Sequence, residues 1–155
     1  MTPLVLPPPA HPAWGRAKQI AAAFRARGKA NPLIVAALAN SFGESSWTAV
    51  IAGDHGKSFG PWQCNWTFYG EPILEATGID IRTEPSFDRH VEAVLFALGM
   101  HANLPTLAAL EAAKTGEDAT RIWAHDFERA SAQGAVERRV AIARPIEVRL
   151  AHGFT

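Results

Sequence analysis

Apolar positions recur along most of the chain at three- and four-residue steps, the period of a helix with one buried face. Trp14, Ala17, Ala21 and Phe24 predict a first amphipathic helix over 13–27, closed by Gly28 with basic residues in its last turn. Asn31-Pro32 supplies an N-cap and a proline at the first helical position. The second helix then runs through Leu33, Ile34, Ala37, Leu38 and Ser41 and stops near Gly43, with Glu44 at the stop. Pro72 opens a short helix that Gly78 closes. Phe87, Val91, Val94, Leu95, Leu98 and Ala102 form the strongest stripe and predict a buried central helix over 85–103. Pro105 opens another short helix, to about Lys114. Glu117 or Asp118 begins the next, with Ile122, Trp123, Phe127 and Ala130 on one face. Gly134 precedes a last helix that Pro145 breaks or kinks.

The helical period is lost from Ser45 to Gly70. Gly53, Gly56, Gly60, Pro61 and Gly70 punctuate a segment that also holds Trp47, Phe59, Trp62, Trp66, Phe68 and Tyr69. A Gly-rich stretch this aromatic is unlike a solvated loop. Short strands or a hairpin are expected near residues 48–66, around the Gly53-Asp54-His55-Gly56 turn. The fold expected is therefore mainly α, a helical bundle with one small strand region. Residues 1–12 hold Pro3, Pro7, Pro8, Pro9 and Pro12 and read as an extended, polyproline-type arm. Residues 13–155 read as a single domain.

Composition narrows the function. Fifteen Lys+Arg balance fifteen Asp+Glu, which argues against a nucleic-acid binder. One Cys excludes an internal disulfide framework and a Cys-rich zinc site. No apolar run is long enough to span a bilayer, so no membrane insertion is expected. The arm has no basic residue before its short apolar stretch and does not read as a secretory signal. No metal site is expected: His90 lacks the His-Glu-x-x-His arrangement, and on one helix His90 and His101 would stand about 16 Å apart. No cofactor is expected either.

Chemistry concentrates at the end of the second helix and just after it. Glu44, flanked by Phe42, Trp47 and Trp62, would be partly desolvated, which raises a carboxyl pKa and suits a general acid. Asp54, ten residues on in a polar turn, would stay ionised. Two carboxyls in two such environments is the logic of glycoside hydrolysis. The nearby aromatics offer ring faces to sugars, and Gln63 and Asn65 offer hydrogen-bonding groups for hydroxyls and N-acetyl amides.

The run Asn40-Ser41-Phe42-Gly43-Glu44-Ser45-Ser46-Trp47, followed by Gly53-Asp54-His55-Gly56-Lys57-Ser58-Phe59-Gly60-Pro61-Trp62-Gln63, resembles the signature of phage tail lysozymes. These are virion-associated murein-degrading domains of the lysozyme-like superfamily. The Glu-Ser pair followed by Gly-x-x-Gln is also similar to goose-type lysozymes and lytic transglycosylases. The resemblance covers roughly residues 14–145. It continues at Ile73–Gly78 in the chain, through 87–101, and again at Phe127-Glu128-Arg129-Ala130 and 138–143. It implies an α+β lysozyme-like fold that cleaves the N-acetylmuramic acid–N-acetylglucosamine bond of peptidoglycan glycan strands. Glu44 is then the general acid; Asp54 stands beside it as a catalytic candidate on the two-carboxyl reading of the residues. Ser58, Gly60 and Gln63 then line the saccharide groove, and the aromatic residues Phe59, Trp62 and Tyr69 join them as substrate-binding candidates on the reading of ring faces for sugars. It also implies carriage in a phage tail or delivery to the periplasm, with tail or baseplate proteins as partners through the Pro-rich arm. Three departures bear on groove contacts: Cys64-Asn65-Trp66 follows Gln63, Pro61 fills a variable slot, and Ala130 stands where the family has Pro.

Rival readings remain open at this level. The product is either a hydrolysed or a 1,6-anhydro muramic end. A non-catalytic tail module could keep the same shape and bind glycan. Cys64 could be a peptidase nucleophile, although no peptidase signature surrounds it, and a buried structural Cys is the commoner outcome. Asp54 also suits an Asx-turn, Gln63 a loop tie, and Trp62 and Tyr69 the core. Glu128 reads first as a helix-tying carboxylate and second as a substrate contact.

Overall fold

The computed structural model of the protein describes residues 2–154. Among them are seven α-helices: α1 (Ala13–Ala26), α2 (Asn31–Ser45), α3 (Glu71–Thr77), α4 (Phe87–Leu98), α5 (Leu104–Ala112), α6 (Gly116–Ile122) and α7 (Ala135–Ala151). Between α2 and α3 lies a small antiparallel sheet of β1 (Ala52–Gly53), β2 (Ser58–Phe59) and β3 (Cys64–Asn65), in the order β1-β2-β3. Gly53 pairs with Ser58, and Ser58 in turn with Asn65. The mainly helical fold with one short strand region is as the sequence leads one to expect. Among the described residues no single helix is long and apolar enough to cross a membrane.

The centre of the bundle is α2, whereas the sequence stripe points to the segment 85–103. Every residue of α2 from Leu33 to Phe42 is buried. The helix packs against α1, α5, α6 and α7. The reason is its composition: apolar and small residues occupy its whole circumference, so neighbours close on every side. Burial of Leu33, Ile34, Val35 and Leu38 contributes about 1.5–3 kcal/mol each. By contrast α4 is amphipathic, with Arg89 and Glu92 outward, and it ends at Leu98. Gly99 caps it, and a 3-10 turn at His101–Asn103 redirects the chain into α5.

Two helices carry π-helical turns that no apolar period announces. Trp66–Gly70 precedes α3, and Trp123–Phe127 continues α6. Pro145 lies inside α7 without ending it. The Pro-rich segment 2–12 forms no helix or strand and folds back on the domain. Trp14 donates its indole N–H to the carbonyls of Pro7 and Pro8, both at 3.1 Å. Arg149 donates to Pro9 O at 3.0 Å and covers the Trp14 ring at 4.2 Å. Leu4 and Leu6 pack against the core, so only part of the arm faces solvent.

Candidate functional site

The last two turns of α2 are shaped around one cation. Asn40 and Glu44 stand four residues apart and share a helix face. Both receive hydrogen bonds from Arg139 of α7: Nη1 donates to Asn40 Oδ1 at 3.4 Å, and Nη2 donates to Glu44 Oε1. Asn40 is itself fully buried, and its amide donates to Ala36 O at 2.9 Å and to Thr120 O at 3.3 Å. Gly43 completes the seat, because a Cβ there would stand 2.7 Å from Arg139 Nε. The pair is shielded, with Arg139 and Glu44 side chains 10% and 24% exposed. Arg139 is thus the hydrogen-bonding and ion-pair partner of Glu44. Trp47 and Trp62 turn their indoles to the core, donating to Leu38 O at 2.9 Å and Ala37 O at 3.0 Å.

Past the helix end, the sheet forms one wall of a cavity of about 640 Å³. Asp54, Ser58, Trp62, Gln63 and Cys64 line it from this side. Phe68, Tyr69, His101, Asn103 and Glu128 line it from the helical side. Asp54 and His55 have φ of +51° and +55°, a left-handed conformation that costs L-residues energy and throws the Asp54 side chain to the exposed rim. Gln63, also left-handed at φ +48°, folds its amide back to donate to Gly60 O at 2.9 Å. A Cβ on Gly53 would come within 2.1 Å of Gln63 Oε1, so the turn accepts only glycine there without displacing Gln63.

Five sequence-derived positions, Asp54, Ser58, Trp62, Gln63 and Tyr69, therefore share one cavity. The other three lie elsewhere. Phe59 lines a separate hollow with Lys57, Trp66 and Arg82, where the Arg82 guanidinium sits 3.8 Å over the Trp66 ring. Gly60 packs behind the sheet; a Cβ there would stand 3.0 Å from the ring of buried His90. Glu44 is not among the lining residues. Its charge is nevertheless felt by Glu128 and Cys64, both of which line the cavity.

Glu128 reaches this wall through the π-helical turn. In an α-helix, residues five apart point in different directions. The wider turn at Trp123–Phe127 closes with Glu128 N donating to Trp123 O at 2.9 Å. That brings the half-buried Glu128 carboxyl beside the Trp123 indole, which donates to Oε1 at 3.0 Å. Burial and then the neighbouring charge of Glu44 push the Glu128 carboxyl up to about 8, against the opposing pull of Trp123 N–H and Arg139. The site thus holds two carboxyls in two environments, one ion-paired and one proton-retaining. The second member is Glu128 in addition to the expected Asp54. The Phe127-Glu128-Arg129 run was its only signal in sequence.

Cys64 is buried, and burial followed by the charges of Glu128 and Glu44 pushes its thiol well above its ordinary range. A thiol so placed is a poor nucleophile. Phe68, 72% exposed at the rim, and Asn103, whose amide donates to Ala97 O at 2.8 Å, are further lining residues that spacing did not single out. Among the described residues no group of three or more His, Cys, Asp or Glu side chains is arranged to hold a metal ion. Comparison with protein-family models, with curated proteins and with solved structures finds no match to this chain.

Proposed function

We propose that the protein is a peptidoglycan glycosidase that cleaves the N-acetylmuramic acid–N-acetylglucosamine bond in the cavity between the small sheet and the Trp123–Phe127 turn. The observation that carries this reading is the convergence of Asp54, Ser58, Gln63, Tyr69 and Glu128 on one cavity, with Glu44 close behind on Arg139 as a second carboxyl in different surroundings. Cleavage of a glycosidic bond needs a proton for the leaving oxygen and negative charge near the oxocarbenium-like carbon. The pair supplies both, and Glu44 is the carboxyl on which the reaction depends. Phe68 and Tyr69 offer ring faces to the sugar, and Gln63 and Asn103, whose amide N–H groups donate to Gly60 O and Ala97 O, offer their side-chain oxygens to its N-acetyl N–H groups.

Carriage in a phage tail, with tail or baseplate proteins as partners, belongs to the same proposal. Its support is the resemblance of the 40–63 block alone. One observation favours a second reading, a non-catalytic glycan-binding module: Glu44 is bonded to Arg139 as a structural carboxylate would be. Digestion of purified peptidoglycan and mass spectrometry of the new ends separates these cases. Reducing muramic ends indicate a hydrolase, and 1,6-anhydro ends a lytic transglycosylase. Intact glycan that still binds the protein indicates the module.

A further inference from the structure

We infer that Glu128, held in the cavity wall by the bond from the Trp123 indole, is the carboxyl that gives its proton to the glycosidic oxygen, while Glu44 is held by Arg139 outside the cavity lining. This assignment rests on the glycosidase reading above and changes the division of labour within it. A carboxylate bonded to a guanidinium is a poor proton donor, because the pair is stabilised only when the carboxylate is charged. Glu128 has the opposite surroundings. It lines the cavity, where Glu44 does not. One of its oxygens accepts from the Trp123 indole, which fixes the plane of the carboxyl and leaves the other oxygen to carry the proton.

Several elements bring charged or titratable groups toward Glu128. Glu44 of α2 favours the protonated form of Glu128 and Arg139 of α7 opposes it. Asp54 and Cys64 from the sheet region, His101 before α5, and the adjacent Arg129 line the same cavity. Burial outweighs the cationic contribution, so the proton is retained near neutral pH.

The Glu128 proton moves to the glycosidic oxygen. The C1–O bond breaks, and its electron pair stays on that oxygen, which leaves as an alcohol. Glu44, which does not line the cavity, acts on the positive charge at C1 through its field and not by contact. An oxygen from water, or from the muramoyl C6 hydroxyl, then bonds to C1, and its proton returns to Glu128.

The test compares wild type, Glu128→Gln, Glu128→Asp and Glu44→Gln on purified peptidoglycan from pH 5 to 9.5, with chitotetraose binding and thermal melting measured in parallel. The expected wild-type rate falls on an alkaline limb near pH 8. Glu128→Gln is expected to lose about 100-fold or more in turnover while binding chitotetraose normally, and Glu128→Asp to recover part of the loss. If Glu128→Gln turns over at the wild-type rate with the same alkaline limb, while Glu44→Gln is dead, the assignment of Glu128 is wrong and the glycosidase reading stands. If wild type releases no glycan fragments, both are wrong. Should Glu128→Gln melt early, the wild-type profile decides: a limb near pH 8 supports the assignment, and a flat rate to pH 9.5 overturns it.

Discussion

Arg139 of α7 donates a hydrogen bond to Glu44 of α2 across 95 residues of chain, and the same guanidinium reaches Asn40. This contact fixes the end of the helix that leads into the cavity. Both side chains are largely shielded, so removing one leaves the other charged and unpaired. Arg139→Ala is expected to destabilise the fold by about 3 kcal/mol in urea unfolding. Arg139→Lys, which cannot span both acceptors with a planar fork, should recover only part of that. A change under about 0.5 kcal/mol for Arg139→Ala would show the pair to be incidental.

Gly53 allows Gln63 to fold beneath the turn. Gly53→Ala puts a methyl within 2.1 Å of Gln63 Oε1, so the amide must leave Gly60 O. The expected outcome is weakened chitotetraose binding with a loss of stability of about 1–3 kcal/mol, read by calorimetry and thermal melting. Unaltered binding would place Gln63 outside the sugar site.

Glu128 makes stability depend on pH with a definite sign. Its carboxyl value is raised from 4.5 in the unfolded chain to about 8 in the folded one, so the folded state binds more protons within that window. Its contribution to stability is therefore present below about pH 4.5 and is lost as pH rises to about 8. Buried His90, whose imidazole is lowered chiefly by burial, acts oppositely: stability falls as pH drops below its ordinary 6.5. Comparing wild type with Glu128→Gln cancels the His90 contribution. The variant should gain on wild type from pH 5 to pH 8.5 by at least about 1.4 kcal/mol, the linkage of one pKa unit. Parallel stability curves would contradict the protonation of Glu128.

Cys64 is too enclosed to act as a nucleophile. Cys64→Ala should leave glycan cleavage within about twofold of wild type, and the folded protein should react slowly with Ellman's reagent at pH 8. Loss of activity in Cys64→Ala with full activity in Glu44→Gln would reinstate a cysteine peptidase.

The helices were largely legible because their signals are local. Asn31-Pro32 opens α2 where a proline at the first helical position should, and Gly78, at φ +75°, closes α3. The turn at Gly53–Gly56 was legible through its composition. The rank of the helices was not, because an apolar stripe such as that of α4 marks one buried face, whereas α2 is buried all round and has no stripe to see. Glu128 was hard to place because the π-helical turn shifts the side-chain period just where the residue matters. The Arg139–Glu44 contact was hidden for another reason: sequence context around Glu44 carries no trace of a cation 95 residues away. Gly43, which makes room for it, reads in sequence only as a helix stop.

The central claim is that Glu44 and the cavity beside it break glycan strands. The most direct measurement is release of soluble muropeptide-bearing fragments from purified peptidoglycan by wild type and by Glu44→Gln, at equal protein concentration and with folding verified by melting. The account predicts that wild type releases fragments with new muramic ends, and that Glu44→Gln releases none while still binding chitotetraose. Equal release by both proteins would remove Glu44 from the reaction, and no release by either would leave a module that holds glycan without cutting it.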